Sequence, residues 1–113
     1  MKPFLPVLLM VLSATAPAFA HARLTSSDPK AGASVKSPSL IRLVFSESLE
    51  PAFSGATLSD AAGKTIPVSA AVGTTTVTLM PLALKPGLYK VTWHSVGHDT
   101  HRVSGNFRFT VIP

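Results

Sequence analysis

Four residues of this chain could hold a metal ion: His21, Glu47, Asp99 and His101. Imidazole nitrogens and carboxylate oxygens suit Cu(II), which favours tetragonal N/O sites and tops the divalent affinity series. His21 gives the strongest signal because of its place. It follows Ala18-Phe19-Ala20, whose small residues fit a signal-peptidase cleavage motif. Cleavage after Ala20 would put an α-amine on His21, and that amine with the ring Nδ1 makes a bidentate chelate. Asp99 and His101 lie two apart. In an extended segment that spacing puts both side chains on one face. Glu47 closes a predicted strand, and its other reading is a solvated strand end. His98 could support this set or replace a ligand, and His94 is expected to face solvent. Met80 reads as strand packing rather than a thioether ligand.

Residues 1–20 read as a secretory leader. Lys2 supplies a positive start, and Phe4 to Leu12 is apolar apart from Pro6. That run falls short of the ~20 residues a bilayer span needs. Residues 21–113 then form one small domain. Cysteine is absent. Thiolate metal sites are excluded, and an exported domain of this size must rely on a packed apolar core instead of disulfides. The net charge of +5 falls by one with the loss of Lys2. The remaining basic residues are scattered, with no cluster or interleaved aromatic run of the kind that marks a nucleic-acid surface.

The segments that must position the candidate ligands read as short alternating runs broken by turn residues. Strands are expected at Ala22–Ser26, Leu40–Glu47, Ala56–Ser59, Thr65–Val72, Thr75–Met80, Leu88–Val96 and Asn106–Ile112. Pro67 points to an edge position for the fourth of these. Ile41, Leu43 and Phe45 share one face, as do Phe107, Phe109 and Val111. In the longest run Tyr89, Val91, Trp93 and Ser95 face inward, while Lys90, Thr92 and His94 face outward. No segment has helical periodicity. About seven strands in this length predict an all-β, immunoglobulin-like Greek-key sandwich or barrel. Two loops stand out: Ser48 to Gly55, with Glu50, Pro51 and Phe53, and Gly97 to Gly105, with His98, Asp99, His101 and Arg102.

The run from His21 through His-Ala-Arg-Leu-Thr-Ser-Ser-Asp-Pro-Lys-Ala-Gly-Ala-Ser, together with Leu40 to Glu47, Pro86 to Trp93, Asp99 to Gly105 and Phe107 to Val111, resembles the CopC family of periplasmic copper-resistance proteins. The resemblance implies a Greek-key β-domain that carries copper in the periplasm. It also implies partners such as an inner-membrane copper transporter or an outer-membrane copper protein. In that family the Cu(II) site is built from the N-terminal histidine with its amine and an Asp-x-His pair, with a glutamate near the end of the second strand sometimes close by. Here those positions are His21, Asp99, His101 and Glu47. Some members carry a methionine-rich loop for Cu(I). The corresponding stretch here, Ser48 to Ser59, has no methionine, which implies one Cu(II) site and no separate Cu(I) site. The family often has Asp-Gly-His where this chain has Asp99-Thr100-His101.

The expected role is binding and transfer of Cu(II) by a monomer, with no catalysis and no nucleic-acid partner. Two other readings compete. The amine with two imidazoles also resembles the histidine brace of copper mono-oxygenases, although an anionic Asp99 ligand would stabilise Cu(II) and reduce access for O₂. The third reading is a metal-free immunoglobulin-like interaction module.

Overall fold

The computed structural model describes residues 21–113. The predicted leader and the cut after Ala20 lie outside the described residues. Nine strands occur among those described: β1 (Leu24–Asp28), β2 (Ser34–Lys36), β3 (Ile41–Phe45), β4 (Gly55–Asp60), β5 (Thr65–Ile66), β6 (Ser69–Val72), β7 (Thr76–Met80), β8 (Gly87–Val96) and β9 (Arg102–Ile112). They form two sheets, ordered β1-β3-β7-β6 and β2-β9-β8-β4-β5. One short 3-10 turn, Pro51–Phe53, leads into β4. Among the described residues no helix is long and apolar enough to cross a membrane.

The period-two pattern explains the two layers. Ile41, Leu43 and Phe45 on β3, Val77 and Leu79 on β7, and Tyr89, Val91, Trp93, Phe107, Phe109 and Val111 on β8 and β9 are all buried in one core. β3, β7, β8 and β9 turn their alternate residues outward, so the inner face of each sheet is apolar and the outer face more polar. The inward assignments of β8 hold along its length: Tyr89, Val91, Trp93 and Ser95 are all buried. The fold is the expected all-β sandwich.

Three details differ from the expected strands. β2 is short, with Val35 half-buried between two exposed residues, and it pairs in parallel with β9 at the sheet edge. The run 65–72 splits around Pro67 into β5 and β6, the edge strands of different sheets. Proline lacks the N–H a central ladder needs, so the chain changes sheets there. The third difference bears on the site. β9 starts at Arg102 and not near Asn106, because Arg102 to Gly105 pair with Val96 to Trp93 in unbroken antiparallel register. The loop carrying Asp99 and His101 is therefore confined to residues 97–101 at the tip of a long hairpin.

Gly105 fixes that hairpin by omission. It lies opposite Trp93, and a Cβ there would come within 2.7 Å of Trp93 Cζ2 and 3.0 Å of Cε2. The ring has little room to yield, since it is buried and meets Phe45 edge-on at 5.5 Å. Gly105→Ala should cost about 1–3 kcal/mol through overpacking. For a domain of this size that lowers Tm by roughly 5–20 °C. Thermal melts of the two proteins test this, and unchanged Tm would show that the ring gives way.

Candidate metal centre

Three candidate ligands from opposite ends of the domain meet at one end of the sandwich. His21, Asp99 and His101 each offer one donor atom, and the three atoms lie within 4.8 Å of one another. His21 Nδ1 is 2.7 Å from Asp99 Oδ2, and His101 Nδ1 is 3.5 Å from the same oxygen. The two imidazoles meet edge to face, with centroids 5.0 Å apart and an interplanar angle of 85°.

The N-terminal segment is held in place by Ser95 of β8 and by Ser46 just after β3. Ala22 is fully buried. The Ser95 hydroxyl, at the inward-facing end of β8, donates to the Ala22 carbonyl. Ser46 donates through Oγ to the His21 carbonyl at 3.1 Å and accepts from the Arg23 N–H at 3.0 Å. Its own N–H donates to the Arg23 carbonyl at 2.8 Å. These contacts carry the chain across the end of the sandwich and aim His21 at the 97–101 loop. Neither serine was among the expected site residues. Ser95 did leave a signal: it is a hydroxyl on an apolar face, and a buried hydroxyl needs a hydrogen-bond partner.

The loop itself is a tight turn. Thr100 N–H donates to the Gly97 carbonyl at 3.0 Å, and His101 N–H donates to Asp99 Oδ1 at 3.1 Å. Thr100 has φ 64°, left-handed backbone that glycine adopts freely and a β-branched residue adopts at a cost. Such strain persists where the surroundings over-determine it, and it gathers at functional sites. Thr100 Oγ1 donates to the Asp99 carbonyl at 2.6 Å, a local bond that offsets part of the cost.

Asp99 is the hub of the cluster. Desolvation at the site opposes ionisation of its carboxyl. Hydrogen bonds from the His101 N–H, the His21 ring and the His101 ring outweigh that, and attraction to His21 adds to them. The net effect holds Asp99 below the ordinary carboxylate range. An ionised carboxylate between two imidazoles is an electron-rich N₂O donor set, and a metal must displace the proton that the groups share.

The four other residues weighed as ligands lie outside this group. Glu47 is half-buried in the segment after β3 and is not part of the three-residue group. The chain turns beyond it so that Leu49 can bridge to Gly97 and pack into the core. His98 is exposed and points to Glu50, with Nδ1 3.2 Å from Oε1. His94 is half-buried rather than solvent-facing and lines a neighbouring cleft. Met80 ends β7 and is 38% exposed, so it is not a core residue. The β3–β7 register puts it at the far end of the sandwich from this cluster.

The family model for the CopC domain matches residues 24–112. The chain belongs to the CopC family. It is 37% identical over 113 residues to Copper resistance protein C of Escherichia coli, covering 90% of each chain. It is 40% identical over 99 residues to Protein YobA of Escherichia coli strain K12, covering 82% of this chain and 80% of that one. Among solved structures it resembles PcoC, a methionine-rich copper resistance protein from Escherichia coli. The TM-score is 0.77 at 37% identity, over 82% of this chain and all of that one. CopC from Methylosinus trichosporium OB3b gives the same TM-score at 33% identity, over 82% of this chain and 95% of that one. Against a relative described as methionine-rich, this CopC-family chain has three methionines, and Met80 is the one within residues 21–113.

Proposed function

We propose that this CopC-family protein is an exported Cu(II) carrier that binds the ion at His21, Asp99 and His101 and passes it on in copper homeostasis or resistance. A copper-related role follows from the family. The convergence of His21 with Asp99 and His101 within 4.8 Å carries the finer reading. Two imidazoles and one carboxylate, with the α-amine that cleavage would add, make the N/O set that Cu(II) prefers. Ionised Asp99 favours the cupric state, which suits a carrier better than an oxidant. Tyr89 and Trp93 are buried, so neither forms an aromatic platform for a polymeric substrate. The exported location and a membrane-bound copper acceptor belong to the same proposal.

Stoichiometric Cu(II) should raise Tm. Binding to the folded state alone contributes about 2.7 kcal/mol when the ion is at 100 times its Kd. The same titration should quench Trp93 fluorescence to an endpoint of one ion per chain. Neither change at one equivalent would instead support a metal-free interaction module. Ascorbate-driven peroxide release by the copper form would support the oxidase reading.

A further inference from the structure

Next to the metal cluster lies a cleft of about 600 Å³ that copper binding does not use. That volume is typical of small-molecule sites. Thr100 is part of its lining, so the cleft touches the residue between Asp99 and His101. The rest of the lining divides by chemistry. Phe53, Ala52 and Val96 are apolar, while His94 and Arg102 come from the outer face of the β8–β9 pair.

Three observations define what fits there. Phe53 is 65% exposed at the end of the 3-10 turn, a large apolar side chain with no cover. The Arg102 guanidinium makes no ion pair or hydrogen bond with another described residue. Glu50, the acidic residue of the lining, meets the exposed His98 ring and is not paired with Arg102. The cleft therefore holds a cation with no ion-pair partner beside an uncovered aromatic ring. His94 does not add a second charge at neutral pH. Burial first, and then the Arg102 cation, push its pKa below the usual imidazole value. It is left as a neutral ring with hydrogen-bonding capacity.

We propose that this cleft binds a carboxylate carried on an apolar body, with the carboxylate on Arg102 and the body against Phe53, Ala52 and Val96. Guanidinium and carboxylate pair through two parallel charge-assisted hydrogen bonds, which neutral donors do not match. The ligand comes from one of two sources with this shared chemistry: a free organic acid, or the C-terminal residue of a partner polypeptide. The site does not depend on the identity of the ion held by the cluster, and its test uses metal-free protein.

The probe is N-acetyl-leucine, titrated into the EDTA-treated protein and followed by amide chemical shifts. Saturable shifts are expected at Phe53, His94, Thr100 and Arg102, with a Kd of about 0.1–5 mM. N-acetyl-leucinamide, which lacks the charge, should bind at least about tenfold more weakly. Arg102→Gln should cause a similar loss, and Phe53→Ala a loss of about threefold to tenfold. Lys90→Gln, on the same sheet face, should leave the Kd unchanged. A hexapeptide ending in a leucine carboxylate distinguishes the sources. Binding about tenfold tighter than the small acid assigns a polypeptide terminus, and equal or weaker binding assigns a free acid. The proposal is overturned if acid and amide bind equally, if Arg102→Gln keeps the parent affinity, if Lys90→Gln weakens binding as much, or if no shift saturates.

Discussion

Acetylating the α-amine of the His21-terminated protein is expected to weaken Cu(II) binding by about 10²–10³-fold, or roughly 3–4 kcal/mol. An acetylated nitrogen is an amide with no lone pair to give, so the chelate between it and the His21 ring is lost. The modification is selective near pH 6.5, because an α-amine has an ordinary value of about 7.7–8.0 and lysine about 10.4. The pH dependence should change as well. In the unmodified protein a proton competes with copper for the amine. Affinity should therefore fall by up to about tenfold per pH unit below that range from this group alone. The acetylated protein should lose that component and keep the one from its imidazoles. Competition against a chelator of known strength, from pH 8 to pH 6, measures both effects. Equal affinities before and after acetylation would remove the amine from the site.

Asp99→Ala carries the second large effect. One carboxylate orients two rings and a backbone N–H: Oδ2 lies 2.7 Å from His21 Nδ1 and 3.5 Å from His101 Nδ1, and Oδ1 accepts from the His101 N–H at 3.1 Å. Groups that hold metal ligands in place are worth about 10–100-fold in metal affinity. Since Asp99 would also ligate, the loss should reach the upper end of that range. Thermal melts without metal give a second readout. The folded-state value of Asp99 is depressed, so the stabilisation it gives is full above the ordinary carboxylate value of about 3.9 and declines as pH falls through the folded value. The Tm gap between parent and Asp99→Ala should be open at pH 6 and narrow toward pH 3. A gap that widens in acid would mean that Asp99 is stabilised in its protonated form.

Much of the sandwich was legible because burial imposes a period of two. Tyr89, Val91, Trp93 and Ser95 could be placed inward from alternation alone, and all four are buried. β2 was not legible. Its three residues, Ser34, Val35 and Lys36, are too few to show a period, and parallel pairing with β9 leaves no hairpin signature. The start of β9 was hidden for a different reason. Arg102-Val103-Ser104-Gly105 has loop composition, and only the β8 ladder makes it strand. The candidate ligands could be named from residue type and from the leader, but their distances could not. His21 reaches Asp99 because Ser46 and Ser95 hold the backbone around it, and both act across long sequence separations. Glu47 is the candidate that the strand pattern suggested and that the three-residue group does not include, since the chain turns beyond it to bring Leu49 into the core.

The central claim is tested most directly by the EPR spectrum of the Cu(II) complex of protein beginning at His21, recorded beside His21→Ala and His101→Ala. Nitrogen hyperfine structure is predicted in the parent and should be reduced in each variant, while His98→Ala and Glu47→Gln should reproduce the parent spectrum. Parent-like hyperfine structure in both His21→Ala and His101→Ala would contradict the account.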